Sequence, residues 1–229
     1  MTLPAPQQKR RFVEQMFDGI APRYELMNHL MTFGMDWRWR RKAVAALRLK
    51  PGDRVLDLGC GTGDLVAAVA EVGARGVGVD VSAGMLHQAQ QRPGGEALAR
   101  ADAQRLPLRD ACCDAVVTGF ALRNFTSIRD AIVESARVLR AGGRLAVLEV
   151  DVPSSGLLKM AFDLYFGRII PFLGGVLSHK YAYAYLSSSV AYLPRQEELE
   201  AMLRDAGFRE LAKTRLTGGV AQLVTATRE

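Results

Sequence analysis

The chain has 229 residues, 49% of them hydrophobic, which suits one α/β domain with decorations and a sizeable core. Its 30 Lys and Arg against 24 Asp and Glu give a formal charge of +6, a weak pull towards anionic partners such as nucleic acid, an acidic lipid surface or an anionic substrate. Three cysteines (Cys60, Cys112 and Cys113) argue against a disulfide framework and for a reduced, cytoplasmic setting, and no Cys or His spacing suits a metal.

The first ten residues, Met1 to Arg10, lack the apolar core of a secretion signal, and no uncharged stretch of 18 residues suggests a transmembrane helix. Residues 1–8 are polar and read as frayed. From Arg11 to Leu49 the pattern is helical, broken at Pro22 and Gly34, and Lys50-Pro51-Gly52-Asp53 reads as a turn. The apolar run Val55-Leu56-Asp57-Leu58 predicts a strand, and Gly59-Cys60-Gly61-Thr62-Gly63 a tight turn into a helix over 64–70. Further strands are expected at 76–80, 96–101, 113–120 and 144–151, alternating with helices at 83–91, capped by Ser82, and at 128–139, capped by Ser127 or Thr126. The glycine pair Gly142-Gly143 is expected to end the second of these helices. Residues 153–193 break the alternation and read as helices separate from the sheet, a lid. A helix from Pro194 to Ala206 and strands at 208–215 and 219–227 close the chain. Such alternation predicts a mostly parallel sheet with helices on both faces, forming a single domain over 1–229.

Ligands of such sheets bind outside the carboxyl ends of the strands, where Asp57, Asp80 and Asp102 all fall. The glycine spacing is G-x-G-x-G, unlike the G-x-G-x-x-G that holds a pyrophosphate on a helix N-terminus. Asp57 at the strand end would repel phosphate and suits a cationic group such as an amine or a sulfonium. Asp80, about 20 residues beyond Gly59, is placed to accept hydrogen bonds from ribose hydroxyls. This D-x-G-x-G-x-G resembles the first motif of the class I S-adenosylmethionine (AdoMet) methyltransferases, and so implies a doubly wound, mostly parallel, seven-stranded Rossmann-like α/β fold.

Other stretches are more specific. Phe17-Asp18-x-Ile20-Ala21-Pro22-x-Tyr24-Glu25-Leu26-Met27-Asn28, Gly119-Phe120-Ala121-Leu122-Arg123-Asn124-Phe125, the segment Arg137 to Glu149, Tyr185-Leu186-x-x-Ser189-Val190 and Leu216-Thr217-Gly218-Gly219-Val220 resemble the ubiquinone/menaquinone biosynthesis C-methyltransferase family. The chain departs from it at Glu25, where Asp is usual, at Ala121, where Gly is usual, and at Ala141, where Pro is usual. Gly119, where many ubiquinone-pathway members carry Ser, leans towards the menaquinone branch. The resemblance implies AdoMet-dependent methylation of a ring carbon in a polyprenylated quinol, such as demethylmenaquinol to menaquinol. It implies Asp57, Gly59, Gly61, Thr62, Asp80, Asp102, Ala103 and Gly119 as cofactor-binding residues. It adds a lipophilic quinol as partner, a cytoplasmic enzyme with contact at the inner face of the membrane, room for a homodimer, and neither nucleic acid nor metal.

A carbon nucleophile is the chemical difficulty. A reduced quinol supplies ring electron density best with one hydroxyl deprotonated, so Arg123 is a candidate to stabilise that oxyanion and Asn124 to hydrogen-bond it, with Tyr24 beside them. The competing reading pairs Arg123 with a carboxylate and gives Asn124 a turn to cap. Asn28, His29 and His179 are candidates to line the acceptor pocket, while His87 reads as a surface residue. The basic cluster Arg38 to Lys42 and the apolar segment Leu157 to Leu173 suggest a lipid surface, against the plainer readings of a solvated face and a second small core. Rival functions are a small-molecule methyltransferase acting on O, N or arsenic, a nucleic-acid methyltransferase, and an AdoMet-binding module without turnover. Thr118-Gly119-Phe120-Ala121 lacks the D/N-P-P-Y/F signature that amino-directed nucleic-acid enzymes carry.

Overall fold

A computed structural model describes residues 6–92, 97–153, 156–165, 168, 185 and 188–229. Three helices open the chain: α1 (Pro6–Ile20), α2 (Tyr24–Thr32) and α3 (Met35–Ala46). The alternating part follows as β1 (Arg54–Leu58), α4 (Asp64–Glu71), β2 (Arg75–Asp80), α5 (Ala83–Ala89), β3 (Leu98–Arg100), β4 (Cys113–Gly119), α6 (Ile128–Val138) and β5 (Leu139–Val150). Then come α7 (Gly156–Leu164), α8 (Gln196–Asp205), β6 (Phe208–Leu216) and β7 (Ala221–Arg228). Pro6 begins α1, a position where its missing N–H costs nothing, so residues 6–8 are helical and not frayed.

The seven strands form one sheet in the order β3-β2-β1-β4-β5-β7-β6. The first five are parallel, as the intervening helices require. The turn Thr217–Gly219 is too short for a crossover, so β6 and β7 pair as an antiparallel hairpin that slots β7 against β5. Both faces are covered. Leu56, Leu58, Val116, Val147 and Val224 pack under α6 and α8, and Val55, Val117, Ala146, Leu148 and Leu223 pack under α3 and α4. That double burial is why the central strands read as unbroken apolar runs and not as alternation.

Ser82 and Ser127 cap α5 and α6, accepting from the amides of Met85 and Asp130. The glycine pair behaves otherwise than expected. Gly142 and Gly143 lie inside β5, which starts at Leu139, and the register with β4 shifts between Cys113 and Ala115. Gly142 has φ +74°, and a Cβ on Gly143 would stand 2.8 Å from the Arg140 carbonyl, so the pair shapes an irregularity in the strand and does not cap the helix. β3 is shorter than expected, at Leu98–Arg100. Of the segment 153–193, α7 and the 3-10 turn Ser189–Tyr192 are described; His179 lies outside the described residues. No helix among the described residues is long and apolar enough to cross a membrane.

Candidate cofactor and acceptor site

The sheet reverses its order between β1 and β4, and a cleft opens there at the strands' carboxyl ends. It encloses about 720 Å³, counting the part open to solvent. Gly59, Gly61, Asp80, Asp102, Ala103 and Gly119 line it, together with Asn124 and Tyr24. The glycines are where the backbone demands them. Gly59 has φ +73°, and a Cβ there would fall 2.6 Å from that of Ala121. The turn is thus pressed against the segment after β4, leaving a main-chain wall that a ligand can approach.

The three acids at the strand ends have unlike surroundings. Asp80 Oδ2 accepts from the Gly61 amide at 2.9 Å and Oδ1 from the Ser82 amide at 2.8 Å. Burial raises its pKa, and those amides partly offset the rise. The carboxylate therefore ties the glycine turn to the end of β2 while keeping lone pairs towards the cleft. Asp102 Oδ1 accepts from the Gln104 amide and side chain, and Oδ2 pairs with Arg10 at 2.9 Å. Asp57 is wholly buried behind the glycine turn and does not line the cleft, and neither of its oxygens has a hydrogen-bond partner. Burial pushes its carboxyl up to about 8; Arg40 opposes the shift, and Asp80 and Asp64 add to it. A buried acid whose oxygens make no well-formed hydrogen bond, with only the Val66 amide and the Arg40 charge to favour its ionised form, is what a cationic ligand group would complete.

Around Asp57 runs a charged network. Arg40 is buried between Asp36 at 2.6 Å and Asp64 at 3.0 Å. Arg92 joins Asp64 at 2.9 Å to Glu25. Burial pushes Glu25 up, but bonds to Arg92 and to the Thr62 side chain hold its carboxyl below the usual range. Thr62, expected at the methionine end of the cofactor, is buried and bonded to Glu25, and it does not line the cleft.

Helix α1 closes the cleft from above, and this the sequence reading missed. Arg10, Val13 and Phe17 line the cavity. Lys9 donates to the Phe125 carbonyl at 2.7 Å and lies 3.8 Å from the centre of the Tyr192 ring; burial lowers its pKa to about 8. Asp18 accepts from the Ser82 hydroxyl at 2.6 Å and the Gly84 amide at 2.9 Å. Glu14 pairs with Arg100. The available signal was the spacing of positions 10, 13 and 17, which puts them on one helical face.

On the acceptor side, Arg123 and Asn124 sit in a short 3-10 turn, Leu122–Asn124. Phe120, which precedes it, has φ +59°, a costly conformation for a bulky residue. Its carbonyl accepts from Arg123 Nη1 at 2.8 Å. Arg123 is buried against Glu149, and its Nε donates to Ser189 Oγ at 3.2 Å. In place of the oxyanion contact Arg123 makes an ion pair, because Glu149 is buried near the end of β5 and needs a cation. Arg123 does not line the cleft; Asn124 does, and its Oδ1 is buried without a partner. Tyr24 lines the cleft edge-on to Phe17.

Neither Asn28 nor His29 is among the described residues of the cleft wall. His29 is half-exposed, and its Nδ1 lies 3.1 Å from Asp36, so the first turn of α3 draws the ring away. Asn28 is half-buried, and its carbonyl accepts from Thr32. His87 is exposed, as expected. Among the described residues no group of three or more His, Cys, Asp or Glu could hold a metal.

This fold is that of the AdoMet-dependent methyltransferases. A SAM-dependent methyltransferase from Thermotoga maritima superposes with a TM-score of 0.67 at 20% identity, over 95% of this chain and 100% of that one. Haemonchus contortus phosphoethanolamine N-methyltransferase 2, in complex with S-adenosyl-L-methionine, gives 0.68 at 16% identity, over 96% of this chain and 60% of that one. The chain belongs to the ubiE/COQ5 methyltransferase family, whose model matches residues 5–228. It is 44% identical to the demethylmenaquinone methyltransferase of Thermus thermophilus, over 91% of this chain and 97% of that protein. It is 38% identical to the ubiquinone/menaquinone biosynthesis C-methyltransferase UbiE of Geobacter sulfurreducens, over 95% of this chain and 89% of that protein.

Proposed function

We propose that the chain methylates a ring carbon of a polyprenylated quinol, with demethylmenaquinol as acceptor and AdoMet as methyl donor. The observation that carries the donor side is the buried, unpartnered Asp57 before the glycine turn. Identities of 44% and 40% to demethylmenaquinone methyltransferases support the acceptor. AdoMet supplies an activated methyl group on a sulfonium. Asp57 would complete its bonding on the cofactor's amino group, with Gly59, Gly61 and Gly119 as main-chain wall. Asp80 would take the ribose hydroxyls, and Asp102 with the Ala103 backbone the adenine edge. Thr62 supports that end through Glu25.

With AdoMet bound, the quinol ring carbon would take the methyl group as the carbon–sulfur bond breaks with its electrons left on sulfur. The ring proton would then pass to solvent, restoring the aromatic quinol. The chain's part is to orient the ring and exclude water. Asn124, on the cleft wall with its Oδ1 buried and unpartnered, would accept from a quinol hydroxyl, and Tyr24 would face the ring. Arg123 is a positioning residue: through Glu149 and Ser189 it holds the turn that carries Asn124. The enzyme works at the cytoplasmic side, where it meets a lipid-tailed acceptor.

The test is transfer of labelled methyl from AdoMet to a short-tailed demethylmenaquinone, with and without dithionite. Label in the lipid only under reduction is the expected result. No label under either condition, with AdoMet binding intact, overturns the acceptor assignment.

A further inference from the structure

Helices α2 and α7 are amphipathic in the wrong sense for a protein surface. On α2, Leu26 and Leu30 are 60% and 51% exposed, and Phe33, the left-handed residue that ends the helix, is 76% exposed, while Met27 is buried. On α7, Leu157, Met160 and Leu164 are 79%, 66% and 51% exposed, while Phe162 is buried. Each set has helical spacing, so each helix carries one apolar stripe facing outward. The stripes meet: the Phe33 and Tyr165 rings lie 5.7 Å apart, and the Tyr165 hydroxyl donates to the Met31 carbonyl at 3.0 Å. Six large apolar side chains on one continuous face exceed what scattered surface residues account for.

From this face we infer that α2 and α7 together dock the enzyme on a lipid bilayer bearing anionic headgroups. The charges beside the stripes favour that occupant. Arg23, which precedes α2, Lys159 on α7 and Arg168, four residues beyond α7, are exposed, while the charge of Glu25 is paired with Arg92. An apolar face edged with cations suits the boundary between acyl chains and anionic headgroups. A second copy packed by two-fold symmetry would set those cations against each other. The face also leads to the site. Helix α2 begins at Tyr24, which lines the cleft, and nine residues carry the chain about 13 Å to its apolar end. A quinol ring drawn from the bilayer would pass along α2 into the cleft while its tail stays in the membrane. This route rests on the quinol reading; the docking surface itself can be measured without any substrate.

The experiment is flotation of the full chain with phosphatidylcholine vesicles, with and without phosphatidylglycerol. The wild type is expected to float with the anionic vesicles, and Leu157→Glu/Met160→Glu to lower the partition coefficient by about tenfold or more. The same variant is expected to bind AdoMet, and to methylate a short-tailed quinol in solution, as the wild type does. A wild type that stays with the unbound fraction, or a variant that floats equally well, overturns the docking surface. So does a wild-type dimer, without vesicle binding, that the variant splits, since the face would then join two copies. Vesicle binding without turnover of any quinol would overturn the acceptor assignment and leave the surface standing.

Discussion

Asp57 and Arg123 are both buried ionisable side chains near the carboxyl end of the sheet, and they are opposite cases. Asp57 has no hydrogen-bond partner, and burial lifts its carboxyl to about 8. Arg123 is bonded to Glu149, Ser189 and the Phe120 carbonyl. Burying an unpaired charge is expensive, so the folded chain alone keeps Asp57 protonated, ready for a cation. Arg123 already has its counter-charge and spends its donors on the protein. The lesson is that burial and charge do not by themselves mark a ligand contact: the polar atoms left over do.

The largest effect should come from breaking the satisfied pair. Glu149→Ala leaves Arg123 buried without a counter-charge and should cost about 3–5 kcal/mol in denaturant unfolding. Arg123→Met/Glu149→Leu removes both charges and should recover most of that loss. If the double variant then keeps kcat/KM within about tenfold, Arg123 acts by positioning; loss of turnover with AdoMet binding intact would mean that the guanidinium touches the acceptor.

Asp57 comes next. Asp57→Asn removes the charge that a cationic ligand would pair with, and AdoMet should bind about 10–100-fold more weakly by calorimetry. The pH dependence has a definite sign. The folded pKa is about 8, against an ordinary value of about 3.9, so between these limits the native state holds the extra proton. This group's contribution to unliganded stability falls as pH rises from about 4 to about 8. AdoMet binding below about pH 8 should release a proton, seen as a buffer-dependent heat, and affinity should rise towards that pH. Asp57→Asn should abolish both trends.

The smallest effect is at α1, which roofs the cleft. Arg10 is 58% exposed where it pairs with Asp102, so Arg10→Ala should change stability by less than about 1 kcal/mol. It should also free Asp102 Oδ2 and tighten AdoMet by about twofold, read by the same calorimetry. Weaker binding instead would make Arg10 part of the cofactor's own contacts.

The donor side was legible because its signals are local. A strand, a glycine turn and a helix N-terminus occupy consecutive residues, and alternation places each following acid at a strand end. Gly59 and Asp80 needed no knowledge of distant contacts. The acceptor side was not legible in the same way. Arg123 had two readings of equal weight, and the choice depended on Glu149 and Ser189, respectively 26 and 66 residues away. His29 sat beside the right motif, yet α3 captured it through Asp36. The glycine pair reads in sequence as a helix cap but lies inside the fifth strand, because its turn chemistry suits a bulge equally well.

By itself the sequence determined the parallel sheet, its glycine turn and the acids at the strand ends, because neighbouring residues and a repeating period dictate those features. Only the tertiary structure decided that α1 roofs the cleft, that Arg123 is taken by Glu149, and that α2 and α7 turn their apolar stripes outward. The physical reason is that these outcomes depend on which partner a side chain meets across the fold, and a buried charge or an apolar stripe reads the same in sequence whether that partner is present or not.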